Sequence, residues 1–155
     1  MITLKKGDPA PEFSGIDQDG NSISLSRFSG KKVVLYFYPK DSTPGCTAEA
    51  CNLRDNYKQL IDKGFAIVGV SADSEKSHKN FISKHSLPFP LVADTDKKIC
   101  MLYGVWGPKK FMGRTFDGIN RTTFVISEKG LIEAVFTKVN TNDHTRQILD
   151  ELKIK

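Results

Sequence analysis

The sequence predicts an α/β fold, with a central mixed β-sheet flanked by helices and an N-terminal β-hairpin. Three observations predict it. Residues 33–38 (Val-Val-Leu-Tyr-Phe-Tyr) and residues 65–70 are apolar on both alternating faces, as strands buried on both sides are. Helical patterns follow both runs, which makes βαβ units with parallel neighbours. Late in the chain, two strand-like runs flank Glu128-Lys129-Gly130 and add an antiparallel pair.

The elements follow in order. Residues 13–25 form the first hairpin, turning at Asp19-Gly20-Asn21. Asp17-Gln18-Asp19-Gly20-Asn21 has some features of a calcium loop. Its glycine comes too early, however, and Phe28 stands where the twelfth position needs glutamate, so the stretch is a turn. The strand at 33–38 stops at Pro39. Residues 43–63 read as one helix, with Leu53, Tyr57, Leu60 and Ile61 on one face and Gly64 closing it. A strand at 65–70, a helix at 74–85 with Phe81 and Ile82 inward, a short strand at 91–93 and a short helix at 96–103 come next. Strands at 122–126 and 131–136 form the late hairpin. A last helix at 142–152 buries Ile148, Leu149 and Leu152. No repeat, linker or low-complexity tract interrupts the chain. Its 155 residues suit a single domain over 1–155, long enough for a true core.

Composition excludes several function classes. A hydrophobic share of 39% with 26% charged residues is that of a soluble globule and excludes disorder as the main state. The net charge of +5 invites a nucleic-acid partner. The basic residues, however, fall in isolated pairs (Lys31-Lys32, Lys97-Lys98, Lys109-Lys110), the pattern of a solvated surface, and no nucleic-acid site is expected. The longest apolar run, 33–38, is too short to cross a bilayer, and no apolar segment follows Met1. Neither membrane insertion nor secretion is expected. Three cysteines, an odd number, argue for free thiols in a reducing compartment, hence a cytoplasmic protein. No Gly-x-Gly-x-x-Gly or phosphate loop supports a nucleotide. No Cys-x-x-Cys or His-x-x-x-His pair supports a metal, so neither metal nor cofactor is expected.

The chemistry concentrates in Pro39-Lys40-Asp41-Ser42-Thr43-Pro44-Gly45-Cys46-Thr47-Ala48-Glu49-Ala50-Cys51. Pro39 ends a buried strand at its carboxyl end, where open α/β sheets place their sites. Thr43-Pro44 reads as an N-cap followed by proline at the first helical position. Cys46 then falls in the first turn, among unpaired backbone N–H groups and the positive end of the helix dipole. That environment stabilises a thiolate, the nucleophilic form of cysteine. The alternative is a small buried thiol that only packs. The Thr43 hydroxyl either caps the backbone or points into the site. Cys51 lies five residues after Cys46. On an ideal helix their Cα atoms stand about 8.6 Å apart, beyond the ~7 Å that a disulfide tolerates. The two thiols either never pair or pair only when the first turns unwind, which Gly45 eases. Cys100, within Lys98-Ile99-Cys100-Met101-Leu102, reads as a packed thiol, with a second, resolving role left open.

Pro39-x-x-x-Thr43-x-x-Cys46 resembles the signature of the peroxiredoxins, and Cys51 resembles the resolving cysteine of their bacterioferritin comigratory protein (PrxQ) branch. The likeness extends to Gly7-Asp8-Pro9-Ala10-Pro11, Tyr36-Phe37-Tyr38-Pro39-Lys40, Gly104-Val105-Trp106-Gly107 and Arg121-Thr122-Thr123-Phe124-Val125-Ile126. The order of elements is that of a thioredoxin-like fold. The resemblance implies a thiol peroxidase, with no metal, haem or flavin, acting on hydrogen peroxide and organic hydroperoxides. Cys46 would be the peroxidatic cysteine, oxidised to a sulfenic acid that condenses with Cys51 to a disulfide. Thr43 would hold the incoming oxygen, Arg121 would supply a guanidinium, Pro39 would shield the site, and Gly45 with Cys46 would offer backbone N–H groups. Only the resemblance singles out Arg121. Trp106 and Phe111-Met112 are expected at the pocket approach or beneath it. Thioredoxin or a similar dithiol would be the reductant, and a monomer suffices because both cysteines lie on one helix. A second class of function is a redox-responsive client-binding protein, a holdase or relay whose unwound helix exposes apolar surface.

Overall fold

The computed structural model describes residues 2–154, with Met1 and Lys155 outside it. β1 (Ser14–Ile16) and β2 (Ser22–Ser24) make the first hairpin. Its turn is closed by the Asp17 carboxylate, which accepts from the backbone N–H groups of Asp19 and Asn21. β3 (Lys32–Phe37) leads into α1 (Pro44–Asp55) and α2 (Tyr57–Asp62). β4 (Phe65–Ser71), α3 (Glu75–His85), β5 (Leu91–Ala93) and α4 (Lys98–Leu102) follow. Then come β6 (Trp106–Phe111), β7 (Arg114–Ile119), β8 (Thr122–Ile126), β9 (Ile132–Phe136) and α5 (His144–Glu151).

Five strands form the main sheet in the order β5-β4-β3-β8-β9. β3 is central, parallel to β4 and antiparallel to β8, and its residues from Val33 onward are buried on both faces. On one face Val34, Tyr36 and Tyr38 pack with Ala50, Leu53, Phe81, Ile148 and Leu149 of α1, α3 and α5. On the other, Val33, Leu35 and Phe37 pack with Phe13, Ile23, Ile99 and Tyr103, from the N-terminal hairpin and α4. The mixed sheet flanked by helices agrees with the expected architecture.

Two departures have physical causes. The expected helix over 43–63 breaks at Asn56, which leaves helical geometry (φ −109°, ψ 13°) and donates its side-chain amide to the Asn52 carbonyl at 2.8 Å. Such side-chain bonds compete with the helical ladder. The break turns Ile61 outward, so it is exposed rather than buried. The second departure is the β6–β7 ribbon, which the sequence reading left without structure. The residues of β7 up to Asp117 are exposed, so no apolar alternation advertised the ribbon. Its Met112-Gly113 turn has φ of 52° and 79°, the positive pair a tight two-residue hairpin requires.

Candidate active site

The site forms where β3 ends. The Tyr38 N–H still donates to Val70, after which residues 39–43 cross the sheet's carboxyl edge to Pro44. Thr43 has the extended backbone of an N-cap (φ −86°, ψ 155°), but its hydroxyl caps nothing. It donates to the Lys40 carbonyl at 2.8 Å, which leaves the oxygen free to accept a hydrogen bond.

Asp41 anchors this loop from below. Its buried carboxylate accepts from the Tyr38 hydroxyl (2.6 Å) and the Ser77 hydroxyl (2.8 Å) and lies 2.7 Å from His78 Nδ1. His78 Nε2 donates to the Val92 carbonyl at 2.9 Å. The Asp41 N–H donates to Asp73 at 2.8 Å. This clamp holds the next residue, Ser42, at a φ of 63°, a left-handed conformation that needs outside support. Asp41, Asp73 and His78 also bring three possible metal-ligand atoms within 4.8 Å of one another, but protein donors and acceptors engage all three residues.

Cys46 occupies the first turn of α1 and is only 1% exposed. Arg121 sits just before β8, and β8 pairs with β3 so that Thr122 lies opposite Phe37. Pairing across the sheet therefore brings a guanidinium from 75 residues away to the mouth of α1. Its Nη2 donates to Cys46 Sγ at 3.3 Å, and its Nη1 donates to Glu49 Oε1 at 2.7 Å. The sulfur thus faces both a guanidinium and the positive end of a helix. Gly45 makes room for this contact, since a Cβ there would stand 3.2 Å from Arg121 Nη2. Gly45→Ala is therefore expected to displace the guanidinium slightly and to slow oxidation by roughly 3- to 10-fold, given what small misplacements cost. Stopped-flow oxidation checks this, with circular dichroism confirming an unchanged fold.

Behind Arg121 lies a buried polar pair that the sequence reading missed. Glu49 follows Cys46 by one turn on the same buried face. Its Oε2 has no donor. His144 Nε2 lies 3.6 Å away but accepts from the Thr123 hydroxyl (2.8 Å), while Nδ1 donates to Gln147 (2.9 Å). The tautomer that satisfies these two partners leaves no proton for Glu49. Burial pushes the Glu49 carboxyl up to about 7 against the pull of Arg121. Burial lowers His144 to about 4, with the Gln147 hydrogen bond resisting and Arg121 adding to the shift. A second cation, Lys109 of β6, donates to the Ile119 carbonyl at 2.8 Å. Burial and Arg121 lower its pKa while the Cys46 charge opposes them.

The remaining candidate residues separate clearly. Half-buried Pro39 lines a groove of about 330 Å³ with Trp106, Lys109, Phe116 and Ile119. Trp106 thus shares a groove with Pro39. Met112 does not: it sits 86% exposed at the ribbon tip. The side chain of Phe111 lies outside the described residues. Cys51 is half-buried, unpaired and on the unbroken part of α1, its Sγ 3.8 Å from His85 Nδ1. Cys100 is buried, and burial followed by Asp94 pushes its thiol far above the ordinary range. Among the described residues, no helix is long and apolar enough to cross a membrane.

Residues 6–135 match the AhpC/TSA family. Peroxiredoxin Bcp of Escherichia coli (strain K12) is 46% identical over 153 residues, covering 99% of this chain and 98% of its own. Among solved structures, that of the Xanthomonas campestris bacterioferritin comigratory protein, described for its alkyl peroxide reduction activity, superposes with a TM-score of 0.84 at 37% identity, covering 91% of this chain and 90% of that one. A cysteine-to-serine mutant of Xylella fastidiosa PrxQ superposes with a TM-score of 0.91 at 30% identity, covering 99% and 98%. Fold, sequence and a thiol held against a guanidinium agree: the chain belongs to the AhpC/TSA family, is a peroxiredoxin of the Bcp (PrxQ) branch, and is a thiol-dependent peroxidase.

Proposed function

We propose that Cys46 is the peroxidatic cysteine and Cys51 the resolving one, in a cycle that reduces hydrogen peroxide and alkyl hydroperoxides at the expense of a thioredoxin-type dithiol. The observation that carries this reading is the 3.3 Å contact from Arg121 Nη2 to Cys46 Sγ at the opening of α1. The Cys46 thiolate attacks the terminal peroxide oxygen, an S–O bond forms and the O–O bond breaks. The departing alkoxide or hydroxide takes up a proton and leaves as alcohol or water. Thr43 Oγ1, its own proton given to Lys40, accepts from the peroxide O–H. Arg121 and the free N–H groups of Gly45 and Cys46 face the charge that spreads over both oxygens. Pro39 screens one side, and the groove beyond it suits an alkyl group.

The sulfenic acid then condenses with Cys51, releasing water. With α1 intact the two Cα atoms stand about 8.6 Å apart, so disulfide formation requires its first turns to unwind. All the groups named lie in one chain, so a monomer with a single domain over 1–155 suffices, and a supply of dithiol suits a reducing compartment such as the cytoplasm. No nucleic acid enters this cycle. Peptide mapping by mass spectrometry after one equivalent of peroxide tests the reading. A Cys46–Cys51 disulfide with Cys100 unmodified is expected. Peroxide consumed while Cys46 stays a free thiol would overturn it.

A further inference from the structure

The geometry points to His85 as a further catalytic residue, the base that takes the Cys51 thiol proton when the disulfide forms. This inference rests on the proposed resolving role of Cys51. His85 ends α3, and its Nδ1 lies 3.8 Å from Cys51 Sγ, within hydrogen-bond range for sulfur. The ring is held edge-to-face against Phe81, with centroids 5.2 Å apart. The Arg54 guanidinium, from the same helix as Cys51, donates to the His85 carbonyl at 2.8 Å. Charged groups near the pair include Arg54, itself paired with Asp55, on α1, and Lys84, the chain neighbour of His85 on α3.

The pair persists because the two halves of α1 are held differently. The half that follows Cys51 is tied down. Asn52 accepts from the Thr145 N–H (2.8 Å) and donates to the Asn142 carbonyl (3.3 Å), Leu53 is fully buried, and Arg54 grips the end of α3. The half that precedes it is buried at Cys46, Glu49 and Ala50 and contacts Arg121, but it begins with Pro44-Gly45 and lacks intrahelical partners for its first N–H groups. When the helix opens, the Cys46 turn moves and Cys51 stays against His85. Five residues of unwound chain are ample to close the gap.

The step balances as follows. Neutral His85, with its proton on Nε2, accepts the Cys51 thiol proton at Nδ1. The Cys51 thiolate attacks Cys46 Sγ, an S–S bond forms and the S–O bond of the sulfenic acid breaks. The departing hydroxide takes a proton from solvent and leaves as water, and His85 returns its own proton to solvent.

Rapid mixing of the reduced protein with one equivalent of peroxide separates oxidation of Cys46 from disulfide formation, read by acid quench and mass spectrometry across a pH series. His85→Gln is expected to slow disulfide formation roughly 10²-fold near neutrality, the scale of a lost general base. In the wild type the rate falls toward acid pH, as a step that needs a free base does. In the variant it climbs steadily with thiol ionisation and meets the wild type in alkaline buffer, where an ordinary thiol ionises unaided. Added imidazole is expected to restore the variant, and His85→Asn to behave alike. Equal rates and pH profiles in variant and wild type overturn the role of His85. So does a slow variant that neither alkali nor imidazole restores, which is a merely structural defect. If the wild type itself forms no Cys46–Cys51 disulfide, it is the resolving role of Cys51 that fails.

Discussion

Cys46→Ser is expected to abolish peroxide turnover, a loss on the order of 10⁶-fold, as when other enzymes lose their nucleophile. A serine hydroxyl fills nearly the same space in the first turn of α1 and still meets Arg121. It does not ionise near neutrality, however, and an uncharged oxygen is a poor nucleophile toward peroxide. The fold should survive, because Cys46 packs against Tyr36 and Ala50 as a small side chain and the exchange changes little volume. Cys51→Ser should behave differently. It removes no group that touches peroxide, so one equivalent should be consumed before turnover stalls with a thioredoxin-type dithiol. Peroxide decay followed with excess dithiol, alongside quantitation of the first equivalent, separates the two. Wild-type turnover by Cys46→Ser would sink the assignment of the nucleophile.

How much of this could be read from residues alone depended on range. β3, β4 and the turn into α1 announced themselves locally: consecutive apolar residues, a proline stop, and Thr43-Pro44 before a helical pattern. The position of Cys46 in the first turn needed nothing more. Arg121 had no local signal and was singled out only through resemblance. Its placement depends on β8 pairing with β3, a contact that spans 75 residues of chain to Cys46. The clamp on Ser42 is equally non-local, joining β3, α3 and β5 through Asp41, His78 and Val92. Thr43 was left open between two roles, and the structure gives a third partner, the Lys40 carbonyl. Glu49 did carry a signal that went unread. Cys46, Glu49, Ala50 and Leu53 fall at i, i+3, i+4 and i+7, so a carboxylate stood in the buried stripe of α1. A charge there requires a partner, which the structure supplies as Arg121. The β6–β7 ribbon had no comparable sign, because exposed strands leave no apolar pattern.

That carboxylate and its neighbour His144 should leave opposing marks on stability. The folded protein holds the Glu49 proton up to about pH 7, above the ordinary 4.5, so it binds one proton more than the unfolded chain between those values. Stability must then fall as pH rises through that window, by roughly 3 kcal/mol in all. His144 works in reverse. Its folded value of about 4 lies below the ordinary 6.5, so the unfolded chain binds the extra proton in between. Stability from this group is complete above the unfolded value and is lost as pH falls toward 4, again by roughly 3 kcal/mol. The windows overlap between about pH 4.5 and 6.5, where the two slopes cancel. The difference between Glu49→Gln, neutral at every pH, and wild type should therefore isolate the carboxylate: relative stability climbs from pH 4.5 to 7 and then levels. The difference for His144→Asn should isolate the histidine, with relative stability falling from pH 4 to 6.5. Urea unfolding of the three reduced proteins at half-unit pH steps measures both differences, and the other titrating groups drop out of each comparison. If both variants run parallel to the wild type throughout, the pair does not titrate as its burial requires, and Arg121 is held by a permanently charged Glu49.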